Sequence, residues 1–339
     1  MRVLESFPAP RPTTNPYVVQ LARSLQERDG VDVVFFSWPT GLLGRYDVFH
    51  VHWPEIMLEA RHPLRRVQQR VFTLLFCLRL LVTRTPVVRT WHNTERPSGI
   101  AWFDHRILDL LDRLTTLRIR LNDSTEMPPD APYRTILHGH YRDWFAELPR
   151  SEPDPGRLAF VGRIRRYKGV EALLEAFRGL PDPDASLTVA GLPSSDELVA
   201  TLTELTGGDP RVELRFEYVD DAALVTTVTR ASVVVLPYRH MHNSGTALAA
   251  LSLDRPVLVP DNEVNRRLAQ EVGPGWVHLY DDEVSAQRLA EVLAEVATRP
   301  SSAVPDLSAR EWEQAGADHA AAFREALDER VSSRTGRNR

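Results

Sequence analysis

Short apolar runs alternate with helix-like stretches along almost the whole chain, and this alternation limits the fold more than any other feature. In the second half, strand-like runs such as 157–162 and 232–238 are each followed by apolar residues at helical spacing, as in 169–179 and 245–253. Runs rich in Val, Leu and Ile that lie between helices are typical of parallel strands covered on both faces. The pattern therefore predicts an α/β protein built from parallel sheets.

A polar, proline-rich break divides this pattern into two halves. The segment "SEPDPGR" at 151–157 interrupts the alternation, which begins again directly after it. In a chain of 339 residues we expect two Rossmann-like, doubly wound domains that face a cleft, over 1–150 and 151–307. A long helix over 308–330 is expected to pack back on the first domain, and the tail 331–339 is expected to be disordered.

The composition excludes several classes of function. A formal net charge of -5 and a pI near 6.1 argue against nucleic acid as the main partner, because that partner requires a basic surface across a domain. The single cysteine, Cys77, excludes an internal disulfide framework and a cysteine metal cluster. The first residues, "MRVLESFPAP", are too polar for a signal peptide, so we expect a protein of the reducing cytoplasm.

One stretch of the first half combines apolar and basic residues without an acidic one. The arginines between Ala60 and Thr94 are Arg61, Arg65, Arg66, Arg70, Arg79, Arg84 and Arg89. The apolar run at 71–82 is too short to span a bilayer. Two interpretations of a helix over 61–84 stay open: a packed helix with an arginine-rich solvent face, or an amphipathic helix that lies on anionic headgroups at the cytoplasmic face of a membrane.

The segment "FVGRIRRYKGVEALLEAF" at 160–177 places glycines and cations between a strand and a helix. Gly162 and Arg163 follow the strand, and Lys168 precedes the helix that begins near Val170. Free N–H groups and the positive end of a helix dipole attract anions at such a position, and the cations strengthen this attraction. A diphosphate fits this pattern, although the segment has neither a P-loop nor a GxGxxG motif.

The segment "VVVLPYRHMHNSGTALAALSLDRPVLVPD" at 233–261 repeats this arrangement. A buried strand leads into a polar loop, and an apolar helix follows; the candidate ligand-binding residues are Tyr238, Asn243, Ser244, Gly245 and Thr246. Ser244 is a predicted N-cap, and Gly245 allows a ligand to approach the backbone closely. Two anion sites at strand ends of one domain suit a single extended diphosphate ligand.

Polar and aromatic side chains also follow the strands of the first half. The candidates are Asn15 and Tyr17 after the first strand, His52, Trp53 and Glu55 after the third, and His92, Asn93 and Glu95 after the fourth. Each of the two histidine-bearing strand ends is followed by a glutamate, which predicts a catalytic role for His92, Glu55 or Glu95. His50 and His52 have no third ligand nearby in the sequence and no HExxH occurs, so no metal site is predicted.

The segments at 160–177 and 233–261 together resemble the donor half of GT-B glycosyltransferases, in particular the family 4-like, group 1 bacterial enzymes of exopolysaccharide and glycoconjugate synthesis. The resemblance implies that Arg163 and Lys168 bind the diphosphate of a nucleotide sugar. The domain over 151–307 would then hold the donor.

The same resemblance assigns the domain over 1–150 to the acceptor. The loop at Asn15 would face the donor phosphate and the acceptor, and His92 would approach the transferring sugar. Tyr17, His52, Trp53 and Asn93 would line the acceptor side. The implied substrates are a UDP- or GDP-sugar and a hydroxyl acceptor, which is a glycan, a lipid-linked sugar or a small glycoside, and no cofactor or metal is expected.

The chain departs from the family at two positions. Members usually carry two glutamates around the glycine-helix loop, one contacting the sugar and one the ribose, and here Met241 and Ala249 stand in their places. The donor base, the sugar and the stereochemical course therefore stay open. If the reaction inverts, His92 is the first candidate for the base; if it retains, the leaving phosphate takes the proton and His92 positions the sugar. A glycosyltransferase is the main prediction, and a nucleotide-sugar epimerase of the same architecture or a non-catalytic nucleotide-sugar-binding partner are the alternatives.

Overall fold

The computed structural model describes residues 1–60, 62–93, 96, 99–299 and 302–335, which form two compact units. The first unit comprises Met1–Gly139 and Arg310–Arg339, and the second comprises His140–Ala309. The second unit thus begins before residue 151, because the segment after Gly139 is tied to it. The Tyr141 N–H donates to Ser252 Oγ at 2.8 Å, and Arg150 pairs with Asp254 at 2.8 Å.

A six-stranded sheet forms the centre of the first unit. The elements in chain order are β1 (Arg2–Glu5), α1 (Pro16–Gln26), β2 (Asp32–Phe35), α2 (Trp38–Leu43), β3 (Val48–Val51), α3 (Pro63–Thr83), β4 (Val87–Trp91), α4 (Trp102–Leu114), β5 (Thr115–Arg120) and β6 (Tyr133–Thr135). The strand order is β2-β1-β3-β4-β5-β6, and all of these pairings are parallel. A 3₁₀ turn, Pro54–Leu58, follows β3.

A second six-stranded parallel sheet forms the centre of the other unit. Its elements are β7 (Arg157–Val161), α5 (Val170–Arg178), β8 (Ser186–Ala190), α6 (Asp196–Thr206), β9 (Val212–Arg215), α7 (Asp221–Arg230), β10 (Val233–Val235), α8 (Gly245–Ser252), β11 (Val257–Pro260), α9 (Glu263–Val272), β12 (Val277–Tyr280) and α10 (Ala286–Ala297). The strand order is β12-β11-β10-β7-β8-β9. The predicted α/β class with two doubly wound sheets is confirmed.

The last helix, α11 (Trp312–Thr335), belongs to the first unit and packs against α1. The Ser24 hydroxyl donates to the carbonyl of Trp312, and a Cβ at Gly316 would overlap Ser24. The close approach therefore requires a residue without a side chain at position 316. Among the described helices, none has both the length and the apolar character needed to cross a bilayer.

The parallel topology decides where polar side chains collect. All carboxyl ends of a parallel sheet lie at one edge, and ligands of open α/β sheets bind there. In the first unit, β1, β3 and β4 are neighbours, so the residues at and beyond their carboxyl ends lie close together. In the second unit, β7 and β10 are neighbours, which brings the two segments singled out in the sequence to the same edge.

Candidate active site

Three residues from two separate segments of the second unit lie close together beyond the end of β7. Gly162 has φ +120°, and a Cβ placed on it would lie 3.6 Å from Lys168 Nζ and 3.7 Å from Thr246 Oγ1. The glycine at the strand end, the lysine before α5 and the hydroxyl in the first turn of α8 therefore surround one small space. The fold thus brings together candidates that the sequence placed in two separate segments.

A tight backbone approach joins the two segments. Gly169 has φ +63°, and a Cβ there would overlap the carbonyl oxygen of Pro237. Beside it, the Arg239 N–H donates to the Tyr167 carbonyl at 3.0 Å. The loop that follows β10 is therefore held directly against the turn that carries Lys168.

Two cations at this edge, Arg163 and Lys168, form no ion pair with any described residue. Lys168 Nζ lies 4.9 Å from the centre of the Tyr238 ring, and burial together with the nearby Arg163 and Arg165 lowers the pKa of Lys168. Arg163 is exposed and makes no ion pair within the described part of the chain, whereas Arg166 pairs with Glu197 at 2.7 Å. An anion bound here would relieve this repulsion, which is the electrostatic requirement of a phosphate site.

The start of α8 supplies backbone donors to the same edge. Ser244 is the N-cap, and its Oγ accepts a hydrogen bond from the Ala247 N–H at 3.2 Å, as predicted. A Cβ at Gly245 would come within 3.2 Å of the Tyr141 hydroxyl, so the chain is tightly packed at the first turn. Asn243 lies half-buried in the preceding loop.

The side chains that replace the usual glutamates contribute no polar group. Met241 and Ala249 are both buried and belong to the hydrophobic core of the second unit. Tyr238 is also buried, and burial raises its pKa to about 12. The hydroxyl of Tyr238 therefore stays protonated at neutral pH.

The first unit contains a network of one carboxylate and three histidines, in which Glu5, His50 and His52 are buried. Glu5 Oε1 lies 3.0 Å from His50 Nδ1, and Glu5 Oε2 lies 3.3 Å from His52 Nε2. His52 Nδ1 in turn lies 3.0 Å from His92 Nε2. His50 Nε2 lies 2.8 Å from the Thr90 hydroxyl, which forms a side branch of the network.

The environment of this network decides its charge. Burial works to raise the pKa of Glu5, but attraction and hydrogen bonds from His50 and His52 outweigh it and hold that pKa at about 2. Burial and repulsion from His50 lower the pKa of His52 to about 4, and burial and neighbouring histidines lower the pKa of His92 well below its usual value. At neutral pH the network thus contains a carboxylate and neutral His52 and His92 rings.

Aromatic side chains hold His92 in place. The Trp53 ring stacks on the His92 ring with centroids 4.2 Å apart, and the Tyr17 ring meets His92 edge-on at 5.2 Å. His92 itself is partly exposed, and Asn93 is exposed. Asn15 acts locally, because its Oδ1 accepts from the Tyr17 N–H at 3.0 Å and caps α1.

The two glutamate candidates lie outside this network. Glu55 sits in the 3₁₀ turn Pro54–Leu58 and lines a cavity with Arg66, Asp104 and Leu108, in which none of the histidines takes part. Burial raises the pKa of Glu55. Glu95 lies outside the described residues, so its assignment stays a prediction.

Sequence reasoning missed Glu5, which joins His50 in β3 to His52 just after that strand. It lies 45 residues from His50, and only the pairing of β1 with β3 places it opposite that residue. Glu5, His50 and His52 offer ligand atoms within 4.8 Å of one another. Glu5 is thus the third polar group beside the two histidines, which their neighbourhood in the sequence does not contain. An acidic residue at the end of a buried strand was the available signal.

Helix α3 bears out only in part the arginine-rich solvent face that was one of its two interpretations: Arg65 and Arg66 in its first turn are exposed, but its other arginines turn inward. Arg70 binds both oxygens of Asp104, and Arg79 turns inward to the carbonyl of Gly44 and the ring of Tyr46. Arg89 forms an ion pair with Asp112. Arg61 lies outside the described residues.

The face of α3 that points to solvent is instead apolar. Its side chains are exposed by 37 to 86%: Leu64, Val67, Val71, Leu74, Leu75, Leu78, Leu81 and Val82. At 100° per residue these positions fall within an arc of about 120°, opposite the buried Thr73, Phe76 and Leu80. Trp102 and Phe103 on the adjoining α4 are 73% and 44% exposed, and Arg70 lies 5.5 Å from the centre of the Phe103 ring.

Comparison with known proteins assigns the chain to a family. Residues 144–315 match the model of the glycosyl transferases group 1 family. Two proteins of Xanthomonas campestris pv. campestris, both named GDP-mannose:glycolipid 4-beta-D-mannosyltransferase, are 43% and 44% identical to this chain over 326 residues. The matched region is 96% of this chain and 92% of each relative.

Solved structures resemble the chain in fold. Anabaena HepE in complex with UDP is 13% identical, with a TM-score of 0.60 over 99% of this chain and 100% of that protein. AviGT4, a glycosyltransferase of avilamycin A biosynthesis, is 14% identical, with a TM-score of 0.62 over 96% of this chain and 98% of that protein. Both comparisons support the predicted two-domain glycosyltransferase fold.

Proposed function

Because the chain belongs to the group 1 glycosyl transferases and is a glycosyltransferase that uses a nucleotide sugar, we propose that it transfers mannose from GDP-mannose to a hydroxyl group of a glycolipid. The observation that carries this proposal is the 43% identity, over 96% of the chain, to a relative named for this reaction. The epimerase and the non-catalytic partner are set aside, since neither accounts for that identity.

In this proposal the second unit binds the diphosphate of the donor. Arg163 and Lys168 supply charge, and the first turn of α8 at Ser244–Thr246 supplies N–H groups. Negative charge develops on the diphosphate as the glycosidic bond breaks, and fixed cations stabilise it in the transition state. The space between Gly162, Lys168 and Thr246 suits the leaving phosphate.

The expected stereochemical course is inversion. The sugar of GDP-mannose is attached to phosphate in the α configuration, and a β-linked product requires attack from the opposite face. Such an attack needs a general base for the acceptor hydroxyl and no carboxylate beneath the sugar. The buried apolar Met241 and Ala249, in place of two glutamates, agree with this course.

His92 is the base in this mechanism. It is neutral at neutral pH, partly exposed and fixed between Trp53 and Tyr17. It removes the proton from the acceptor hydroxyl as the new bond to the mannose C1 forms and the bond to the diphosphate breaks. Trp53, Tyr17 and His52 orient the ring, and Asn93 contacts the acceptor.

A donor test decides between nucleotides. Titration calorimetry with GDP and UDP is expected to show binding of GDP at least tenfold tighter than binding of UDP. Transfer from GDP-[¹⁴C]mannose to a bacterial glycolipid extract is expected, with none from UDP-glucose. Equal binding of both nucleotides, or transfer from UDP-glucose alone, would reject GDP-mannose as the donor.

The apolar face of α3 is the proposed membrane contact of this enzyme. A glycolipid acceptor presents its sugar at a bilayer surface, and exposed leucines and valines in one stripe, flanked by Arg65 and Arg66, match the acyl boundary and the anionic headgroups. Exposed Trp102 and Phe103 extend the stripe with side chains that favour the interface.

A matched pair of variants tests this contact. Leu81 on α3 is 57% exposed and Val304 in the second unit is 61% exposed, so glutamate at either position has a similar effect on solubility. Loss of an inserted leucine costs about 1 kcal/mol or more, and headgroup repulsion adds about 1 kcal/mol. Leu81→Glu is therefore expected to weaken binding to vesicles with anionic lipid at least tenfold, and Val304→Glu to leave it unchanged. Equal binding by both variants would show that α3 does not contact the bilayer.

A further inference from the structure

We propose that Glu5 and His52 position the catalytic base by fixing the tautomer of His92, so that Nε2 of His92 carries the hydrogen and Nδ1 receives the proton of the acceptor. The observation behind it is the unbroken chain of contacts from Glu5 Oε2 through His52 to His92 Nε2, at 3.3 and 3.0 Å. The proposal rests on the transfer reaction proposed above.

The first step is the carboxylate. An ionised carboxylate has only acceptors, so every partner of Glu5 must donate to it. Its two oxygens face His50 Nδ1 and His52 Nε2, and both of these nitrogens therefore carry hydrogen. The depressed pKa of Glu5, about 2, keeps it ionised throughout the neutral range.

The second step passes along the His52 ring. A neutral imidazole that carries hydrogen on Nε2 has a lone pair on Nδ1. His52 Nδ1 can only accept in the hydrogen bond to His92, so His92 Nε2 must be the donor. Neutral His92 then holds its lone pair on Nδ1, the nitrogen that a base needs.

The third step concerns charge. When His92 accepts the acceptor proton, an imidazolium forms in a region that already contains His138 and Arg89 and disfavours positive charge. The hydrogen bond to His52 transmits the attraction of the Glu5 carboxylate to this cation, as the buried aspartate does in a serine protease triad. The proton is then released from Nδ1 to solvent, and Glu5, His52 and His92 return to their starting protonation states.

His50 and Thr90 lie on the other branch of the same carboxylate. His50 Nε2 lies 2.8 Å from the Thr90 hydroxyl, and this branch does not lead to His92. Both residues are fully buried beside Glu5, so a change there disturbs packing without breaking the link to His92. Thr90→Val, which keeps the shape of the side chain, is therefore a matched control.

Nitrogen NMR of the wild-type protein tests the tautomer without any catalysis. The two ring nitrogens of ¹⁵N-labelled His92, assigned by loss of their signals in His92→Gln, report directly which one carries hydrogen. The proposal predicts hydrogen on Nε2 at pH 7.5. Hydrogen on Nδ1, or a metal ion bound by Glu5, His50 and His52 in the purified protein, would overturn it.

Kinetics of Glu5→Gln test the consequence. An amide cannot accept from both histidines and carries no charge, so kcat is expected to fall about a hundredfold or more while the KM for the donor stays the same. Thr90→Val is expected to lose stability but to keep kcat within about threefold. Equal losses of kcat in both variants would indicate that Glu5 only supports the packing of this region. That result would contradict its proposed effect on His92 through His52. If the wild-type protein transfers no mannose, the proposed function fails, and the NMR result still decides the tautomer.

Discussion

The buried His319 on α11 gives the first unit a specific sensitivity to acid. His319 Nδ1 lies 2.7 Å from the carbonyl of Ala315, and the side chain packs against Phe323 and His50. Burial, with repulsion from His50 and His52, lowers the pKa of His319 to about 3. Glu5 is the nearby carboxylate, and its attraction is too weak to reverse this effect.

The direction of the effect follows from proton linkage. Below pH 6.5 the unfolded chain binds a proton at this histidine, and the native state does not until the pH approaches 3. The contribution of His319 to stability is therefore complete above pH 6.5 and is lost as the pH falls toward 3. Between pH 6 and pH 4 this single group lowers the free energy of unfolding by about 2 to 3 kcal/mol.

His319→Asn removes the titration and keeps an amide near the position of Nδ1. Urea unfolding followed by tryptophan fluorescence at pH 6, 5 and 4 is expected to show a loss of stability that is about 2 to 3 kcal/mol smaller in the variant than in the wild type. His52 and His138 also disfavour protonation in the native state, but they remain in both proteins and cancel in the comparison.

Phe323→Leu is the control for this experiment. It disturbs the same packing without removing a titrating group, so it should lower stability by about 1 to 2 kcal/mol equally at all three pH values. If His319→Asn and the wild type lose the same free energy between pH 6 and pH 4, His319 is protonated in the native state and the reasoning is refuted.

Two further predictions concern the carboxyl edge of the sheet in the second unit, where the donor diphosphate is proposed to bind. Gly169 and Gly207 have φ +63° and +56°, so alanine at either position costs about 1 kcal/mol in backbone strain. Only Gly169→Ala also overlaps Pro237, so this variant is expected to lower the free energy of unfolding by about 3 kcal/mol or more and to abolish GDP binding. An equally small loss of stability in Gly169→Ala and Gly207→Ala would disprove the clash with Pro237. Lys168→Ala and Arg163→Ala are each expected to weaken GDP binding about tenfold with unchanged thermal stability, measured by calorimetry, and unchanged affinity in both would place the diphosphate elsewhere.

The regular elements were predictable because hydrophobic period and strand composition determine them. The segment around β7 and α5 was expected at 157–162 and 169–179, and the structure places it at Arg157–Val161 and Val170–Arg178. The short α2 was not predicted, because six residues beginning with Trp38 and Pro39 are too few to show a helical period.

The sites were predictable in part. The glycines and cations at strand ends were visible in the local sequence, and the structure places Gly162, Lys168 and Thr246 around one small space. Glu5 was not predictable as a partner of His50, because their contact depends on the pairing of β1 with β3. The exposure of the apolar face of α3 was also hidden, since the sequence shows which residues are apolar but not which face is covered.

The configuration of the product tests the proposed inverting mechanism most directly. The protein is incubated with GDP-mannose and a glycolipid acceptor, and the one-bond ¹³C–¹H coupling at C1 of the added mannose is measured by NMR. A β-linked mannose is expected, because His92 activates the acceptor for attack opposite the departing GDP. An α-linked mannose would contradict the inverting mechanism, since it would require a retaining mechanism in which His92 is not the base.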